Sequence, residues 1–248
     1  MNLDLYFDLL PPKIMKRTFT FLFPFLCASL LFVAAACSQE VNRLTVDEQM
    51  QGYELLFDGT ALLPAIWQNE QSIAGYPVEN GVFVCRKGGN LFTQKEYGNF
   101  IFRFEFKLPP GGNNGVGVRA ESVSKDAAYY GMEIQILDNS AEMYNSLKEW
   151  QFHGSIYGVV PARRNAEKND YLKPVGEWNY QEIIAQGSKI RVILNGETIV
   201  DADLEEFREQ PKLSGEAHPG LHRAKGFVGF LGHNDPVQFR NVRIKSLD

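Results

Sequence analysis

Cysteine and histidine are scarce in this sequence, whose 248 residues include three cysteines and four histidines. Two of the cysteines, Cys27 and Cys37, lie in or directly after an apolar N-terminal run. Only Cys85 is left for the folded part, and its strand-like setting VFVCR indicates a small buried hydrophobic residue. A disulfide framework and a cysteine metal site are therefore excluded. No pair of histidines has the spacing of a zinc signature such as His-Glu-x-x-His, so a tight structural metal is not expected.

The sequence also lacks a basic excess and any long stretch of helical periodicity. Acidic residues number 30 against 25 basic ones, which gives a net charge of -5, and a nucleic-acid partner is not expected. Hydrophobic residues make up 44% of the chain, enough for one large core. The composition therefore predicts one globular domain.

The first 37 residues are predicted to be a secretory signal peptide. Lys16 and Arg17 precede an apolar run that ends in small residues at 34–36, and Cys37 follows them as in a bacterial lipoprotein. We expect cleavage before Cys37, lipidation of Cys37, and attachment to a membrane of the bacterial cell envelope, facing the periplasm or the cell surface. Met15 is an alternative start, and an uncleaved transmembrane anchor is the competing interpretation. Residues 38–50 are predicted to form a polar tether, and residues 51–248 the folded domain.

Strand periodicity dominates the predicted domain. The segment FIFRFEFKL (100–108) places four phenylalanines and a leucine on one face and charged residues on the other. Asn195-Gly196 between two apolar runs predicts a hairpin, and the phase of VQFRNVRIKSL slips at Arg240-Asn241, which predicts a bulge. Further strands are predicted at 53–57, 82–86, 90–94, 115–119, 131–138, 154–160, 178–185 and 226–232. Segments 140–150 and 204–207 are short helices at most, so the pattern predicts an all-β, two-sheet antiparallel β-sandwich or jelly roll.

Several segments, taken in order, resemble the 3-keto-disaccharide hydrolase family. They include YELLFDGT, NLFTQKEYGNFIFRFEFKLPPGGNNGVGVR, GMEIQILDN, HGSIYGVVPA, KPVGEWNYQEI, LNGETIVDADL, HPGL and GFVGFLGHNDPVQFRNVRIKSL. The resemblance covers nearly all of residues 51–248 and implies an exported protein with a concanavalin A-like lectin/glucanase sandwich. The implied activity is cleavage of glycosides whose sugar a separate oxidoreductase has first oxidised to a ketone at carbon 3. TALLPAIWQNE (60–70) departs from the Leu-x-Gly-Trp segment that is usual in the family.

The stretch YYGMEIQILDN (129–139) carries the first candidate site residues. Glu133 and Gln135 share one face of the predicted strand, while Asp138 points the other way unless the strand bulges. Conventional glucanases of this fold place two carboxylates on such a strand, about 5 to 5.5 Å apart in retaining enzymes. Gln135 in the middle position therefore disfavours an ordinary retaining mechanism. The competing interpretation is that these are solvated polar residues on the outer face of an edge strand.

The segment NNGVGVR predicts further polar groups beside this strand. Asn114 is expected to contact substrate. Gly115 and Gly117 are expected to leave room for a ligand on the side of Arg119, whose guanidinium offers fixed donors to sugar oxygens or to an enolate. Alternatively, Arg119 is a structural partner of Glu133.

Five more residues complete the candidate site, and three of them have a competing structural interpretation. His153 is a catalyst or a packing residue. Tyr157 and His233 are expected to contact the substrate. Trp178 offers a stacking face for a pyranose or belongs to the core. Lys173 either reaches the site from a loop or lies in solvent.

The implied chemistry needs one base, donors for an enolate oxygen and an acid for the leaving group. A ketone at carbon 3 acidifies the hydrogen on carbon 2, so a base can remove it while the oxygen on carbon 1 leaves by elimination. Glu133 or His153 is the base, and Arg119 stabilises the enolate. No cofactor is required, although Glu133 and Asp138 could bind a divalent cation. The alternatives are a non-catalytic carbohydrate-binding module and a conventional glucanase.

Overall fold

The computed structural model describes residues 40–70, 73–86 and 89–248. The predicted signal peptide and its lipidation site Cys37 lie outside the described residues. Within the described ranges, no helix combines the length and the apolar character that a membrane span requires.

Thirteen strands account for most of the regular structure in the part of the chain that the structure describes. The strands are β1 (Glu54–Leu55), β2 (Trp67–Asn69), β3 (Val78–Glu79), β4 (Val82–Cys85), β5 (Leu91–Thr93), β6 (Phe100–Lys107), β7 (Asn113–Ala120), β8 (Met132–Leu137), β9 (Trp178–Gln186), β10 (Lys189–Leu194), β11 (Glu197–Asp203), β12 (Phe227–Leu231) and β13 (Val237–Ser246). The helices are α1 (Val46–Met50), α2 (Ala127–Tyr130) and short 3₁₀ turns at Ile73–Gly75, Glu142–Tyr144, Glu149–Gln151, Ala166–Tyr171, Leu204–Glu206 and Pro219–His222.

The strands form two antiparallel sheets, so the predicted all-β sandwich is confirmed. The larger sheet has the order β11-β10-β9-β6-β13-β4-β3, and β1 pairs with the C-terminal part of β13. The smaller sheet has the order β2-β5-β12-β7-β8. β8 is therefore an edge strand of the smaller sheet.

The core lies between the two sheets and is rich in phenylalanine. The inward face of β6 buries Phe100, Phe102, Phe104 and Phe106 completely, as its alternation predicts. Phe230 of the smaller sheet meets this row, and its ring lies edge-on to Phe104 with 5.3 Å between centroids. These contacts hold the two sheets together.

The hairpin and the bulge predicted from the sequence are both confirmed. Asn195 and Gly196 connect β10 to β11 with φ angles of 51° and 91°, the left-handed values that a tight hairpin requires. The pairing of β13 with β6 shifts register between Arg240 and Arg243, and Asn241 has a φ of 53°. The predicted bulge thus lets both halves of β13 bury apolar side chains.

Other predictions of local structure are wrong. Residues 154–160 form a loop, because Gly154 and Gly158 adopt φ angles of 83° and 75°. Isolated bridges join Ile156 to Ile134 and to Val160. β2 lies inside the divergent segment 60–70, where no strand is predicted.

The described part of the predicted tether, residues 40–50, is not a free linker. It contains α1, whose Glu48 forms an ion pair with Arg243 at 2.7 Å. Asn42 is buried, and its side chain accepts a hydrogen bond from the backbone of Asn241 at 2.8 Å. This segment therefore belongs to the folded domain.

Candidate active site

A cleft of about 360 Å³ lies on the outer face of the smaller sheet, where β8 meets the loops around it. Most of the side chains that line it are polar. They are Asn90, Asn113, Asp126, Ala127, Ala128, Tyr129, Glu133, Gln135, Tyr157, Leu231, Gly232 and His233. Four of the predicted site residues, Glu133, Gln135, Tyr157 and His233, are therefore brought together here.

The alternation of β8 sets the direction of Glu133 and Gln135. Ile134 and Ile136 are fully buried in the core, so Glu133 and Gln135 point to the opposite, cleft-lining face, as predicted. They are only 6% and 5% exposed, because the surrounding loops cover this face. The alternative of solvated polar residues on an edge strand is therefore wrong.

Gln135 is held in place by a chain of hydrogen bonds. Its side-chain nitrogen donates to Oδ1 of Asn113 at 2.8 Å, and its backbone nitrogen donates to the carbonyl of Ser155 at 3.0 Å. The backbone nitrogen of Asn113 donates in turn to Oδ2 of Asp235 at 3.0 Å. The amides of Gln135 and Asn113 thus form a fixed polar wall of the cleft.

Glu133 is a buried carboxylate with an unused oxygen. Its Oε1 has no hydrogen-bond partner in the structure and lies 3.8 Å from Nε2 of His233, close enough for an ion pair. Gly115 leaves room for this group, since a Cβ at position 115 would collide with Oε1. The predicted glycine opening therefore accommodates the Glu133 side chain.

Burial and the neighbouring histidine act in opposite directions on this carboxylate. Loss of solvent raises the pKa of Glu133, and His233 partly offsets the rise. The same contact with the Glu133 carboxylate raises the pKa of His233 above its ordinary value. Glu133 is therefore a stronger base than an exposed glutamate once ionised, and His233 favours its protonated, donating form.

Aromatic residues form another part of the cleft wall. Tyr157 donates its backbone N–H to the carbonyl of Glu133 at 2.9 Å, and its hydroxyl accepts a hydrogen bond from Gln151 at 3.3 Å. Its ring lies edge-on to Trp150, with 4.9 Å between centroids. Tyr129 lines the cleft from α2.

Sequence reasoning missed Asn90, Asn113 and Asp126 as lining residues. Asp126 is the N-cap of α2 and accepts a hydrogen bond from the backbone of Ala128 at 3.0 Å. An aspartate before a short Ala-Ala stretch is a helix-start signal that the sequence does contain. Nothing local to Asn90 indicates that its loop approaches β8.

His153 lies in the core and does not line the cleft. It is 3% exposed, its ring stacks on Phe106 at 5.2 Å, and its Nδ1 accepts a hydrogen bond from the backbone of Leu137 at 3.2 Å. Burial lowers the pKa of His153 to about 3, so the ring is neutral. The prediction of His153 as the base is therefore wrong, and the packing interpretation holds.

Arg119 is also placed away from Glu133. Its φ of 51° and a register shift between β7 and β12 redirect its side chain out of the regular alternation. The guanidinium donates to the carbonyls of Gly98 and Gly187 at 2.8 Å each. Arg119 ties loops together, so its predicted roles in enolate stabilisation and as a partner of Glu133 are both wrong.

Asn114 and Asp138 do not reach the cleft either. Asn114 pairs with Ile136 across the sheet and therefore faces the core, where it is fully buried. Asp138 follows the end of β8 and accepts hydrogen bonds from the backbone of Gly111 at 2.8 Å and of Ser140 at 3.0 Å. Both predictions of substrate contact are wrong, because each side chain is turned inward to the protein.

The two remaining candidates lie elsewhere on the surface. Trp178 is half-buried on the outer face of the larger sheet, where the guanidinium of Arg240 lies 4.0 Å from its ring centroid. Lys173 is exposed, as the alternative interpretation holds, and does not line the cleft. Neither residue lines the cleft beside Glu133.

The structure does not bring Glu133 and Asp138 together as ligands of a divalent cation. The hydrogen bonds to Gly111 and Ser140 hold Asp138 outside the cleft. Among the described residues, no group of three or more histidine, cysteine, aspartate or glutamate side chains is placed to hold a metal ion.

Comparisons with known proteins agree on one family and fold. The model of the 3-keto-alpha-glucoside-1,2-lyase-like domain family matches residues 52–245. A 3-keto-disaccharide hydrolase of Bacteroides thetaiotaomicron is 27% identical over 84% of this chain and 83% of its own length.

Two solved structures from Parabacteroides distasonis, each described as a provisionally assigned glycosyl hydrolase, are also similar. The first has a TM-score of 0.73 and 27% identity, and covers 84% of this chain and 100% of its own. The second has a TM-score of 0.63 and 28% identity, and covers 79% of this chain and 99% of its own.

Proposed function

Because the chain belongs to the 3-keto-alpha-glucoside-1,2-lyase-like family, we propose that it cleaves glycosides whose sugar carries a ketone at carbon 3. The family and its relatives support a glycoside-cleaving role. The finer proposal is elimination across carbons 1 and 2, followed by addition of water. The observation that carries it is the buried carboxylate of Glu133, a residue that lines the cleft and whose Oε1 accepts no hydrogen bond.

Elimination makes modest demands on a site. The ketone lets a base remove the proton from carbon 2, the electrons form an enolate, and the oxygen on carbon 1 leaves with a proton from an acid. Donors that face the enolate oxygen in a partly buried cleft stabilise the charge that develops there. One carboxylate, one protonated donor and several neutral amides are sufficient.

The cleft residues fit these roles one by one. Glu133 is the base, because its Oε1 accepts no hydrogen bond and burial raises its pKa. His233, whose Nε2 lies 3.8 Å from Oε1 of Glu133, donates a hydrogen bond from its protonated form to the developing oxyanion. The proton that Glu133 has taken from carbon 2 then passes to the oxygen on carbon 1, which leaves as the enolate re-forms the ketone. Gln135 and Asn113 orient the sugar hydroxyls, and Tyr157 provides an aromatic wall.

The mechanism is tested by turnover in heavy water. A 3-keto-glucoside should yield a 3-keto sugar with deuterium at carbon 2, whereas direct hydrolysis leaves that carbon unlabelled. Free 3-keto sugar incubated without enzyme corrects for solvent exchange, and a parallel run with chelator reports whether a divalent cation assists. Glu133→Gln should abolish deuterium entry while the sugar still binds. If oxidised and unoxidised glucosides bind equally and neither is turned over, the protein is a carbohydrate-binding module. If the unoxidised parent is turned over, it is a conventional glucanase.

We also propose that the protein is exported and anchored to a membrane of the cell envelope by a lipid on Cys37. The support is the sequence alone, in which a basic pair and an apolar run precede three small residues and the cysteine. Since this protein acts on an already oxidised sugar, a separate C3-oxidoreductase must supply its substrate. Labelling of cells with an alkyne fatty acid tests the anchor, as described below.

A further inference from the structure

A second cavity shares the lining residue Tyr129 with the cleft. Its volume is about 400 Å³, and it is lined by Tyr129, Tyr130, Glu216, Ala217 and Pro219. Tyr129 lines both cavities, so the two cavities adjoin at this residue.

The walls of the second cavity are fixed by buried contacts. His218 is buried, and its two ring nitrogens lie 2.9 Å from the carbonyl of Ala128 and 2.9 Å from Oγ of Ser214. Its ring packs against Tyr129 with 4.8 Å between centroids. The histidine thus links the loop that carries Glu216 to the helix that carries Tyr129.

Glycines allow a second close contact under this cavity. Gly220 lies against the backbone of Gly131, so closely that a Cβ on Gly220 would collide with it. Pro219 is therefore held directly beside the end of α2. A wall fixed in this way is preorganised for a ligand.

The exposed groups of the second cavity suit a sugar. Tyr130 is 38% exposed, and Nζ of Lys125 lies 4.2 Å from the centroid of its ring. Tyrosine combines an apolar ring with a polar hydroxyl, which matches the mixed surface of a pyranose, and the Glu216 carboxylate can accept hydrogen bonds from sugar hydroxyls.

Tyr129 lies at the junction between the two cavities. Burial raises the pKa of Tyr129, and the charges of Tyr157, Asp126, Glu216 and Glu133 add to the rise. Glu216 lines the second cavity, and the other three residues line the cleft. The phenol is therefore within electrostatic reach of both binding spaces.

We propose that the second cavity binds the leaving-group sugar of a disaccharide, while the ketone-bearing ring occupies the cleft beside Glu133. The scissile bond then lies next to Tyr129. Each cavity alone is near the lower end of the range of small-molecule sites, about 300 to 1,000 Å³, whereas both together match a larger ligand. This inference rests on the proposed glycoside-cleaving function.

The test compares two substrates that differ only in the leaving group: a 3-keto-disaccharide and the corresponding methyl 3-keto-glucoside. The ratio of kcat/KM for the disaccharide to that for the methyl glycoside isolates the second cavity. Loss of one aromatic contact in Tyr130→Ala should lower this ratio about tenfold. Ala217→Trp, at an exposed position, should lower it at least as far by filling the cavity. The matched control is Met50→Ala, an exposed apolar residue on α1, which should leave the ratio unchanged.

The outcomes separate the two proposals. A fall in the ratio in both cavity variants, with the wild-type ratio in Met50→Ala, supports a leaving-group site. If the wild type cleaves both substrates and neither cavity variant lowers the ratio, the second-cavity proposal is wrong and the glycoside-cleaving function stands. If the wild type cleaves neither substrate, both proposals fail.

Discussion

Acidification should destabilise this protein through His153. The folded chain holds this histidine neutral, because burial lowers its pKa to about 3. In the unfolded chain the pKa returns to the ordinary value of about 6.5. Between these two values the unfolded chain binds a proton that the folded chain does not, so stability falls as the pH falls.

The size of the effect follows from the difference between the two pKa values. At pH values below both pKa values, protonation of His153 in the unfolded chain has lowered the free energy of unfolding by about 5 kcal/mol in total. Roughly 3 kcal/mol of this is lost between pH 7 and pH 4, because the folded state remains unprotonated over that interval. A typical domain is stable by about 5 to 15 kcal/mol, so His153 alone would remove a large part of the margin.

Urea unfolding at pH 7 and at pH 4 measures this contribution. Carboxylates also respond to acid, so the useful quantity is the difference between the wild type and His153→Gln. Glutamine keeps an acceptor for the backbone N–H of Leu137 but does not titrate. The variant should be less stable at pH 7, because it loses the ring stacking on Phe106, yet lose about 3 kcal/mol less on acidification.

A matched variant, His222→Gln, separates this effect from the loss of any histidine. His222 is exposed, so this variant should follow the wild type at both pH values. Equal losses on acidification in the wild type and in His153→Gln would refute the reasoning. The ring would then be protonated in the folded state or accessible to water.

Further predictions concern the core, the cleft and the anchor. Phe104→Ala should cost about 3 to 5 kcal/mol in urea unfolding because it opens a cavity between the sheets, and Ile101→Ala on the half-buried face should cost less; equal losses would contradict the sidedness of β6. The kcat/KM profile on a 3-keto-glucoside should rise with pH as Glu133 ionises, at a pKa above that of an exposed glutamate, and fall as His233 loses its proton above its ordinary pKa. His233→Gln should remove the alkaline fall, and a fall that persists would assign it to another group. Cys37→Ser should abolish labelling by an alkyne fatty acid, and a label that survives the change would disprove the lipid anchor.

The parts of the fold that follow from alternation are those the sequence predicts best. In β6 each side chain faces the core or the surface according to its position, so the four phenylalanines alone define the buried side. The bulge of β13 is visible for the same reason, since a slip in the apolar phase requires an extra residue. Glu133 and Gln135 share a face by this argument as well.

The argument from strand alternation fails for two residues whose positions are predicted wrongly. Regular alternation puts Arg119 on the side of Gly115 and Gly117, but the left-handed φ of Arg119 breaks the alternation at that residue. A left-handed arginine is not apparent from sequence, because few residues other than glycine and asparagine favour that conformation. The position of His153 is predicted wrongly for another reason. Its loop packs inward, and contacts with residues distant in sequence determine its burial.

The charge content of the cleft bears directly on the choice between elimination and double displacement. Of the described residues that line it, Glu133 and Asp126 carry carboxylates, and one oxygen of Asp126 caps α2. Gln135 lies two residues along β8 from Glu133, and its side-chain amide donates a hydrogen bond to Asn113. Double displacement needs a nucleophile and an acid that face each other across the bond, whereas elimination needs one base and donors for an oxyanion. A buried carboxylate oxygen that accepts no hydrogen bond, such as Oε1 of Glu133, costs folding free energy. The arrangement of Glu133 is therefore understandable as that of a base kept reactive for a substrate.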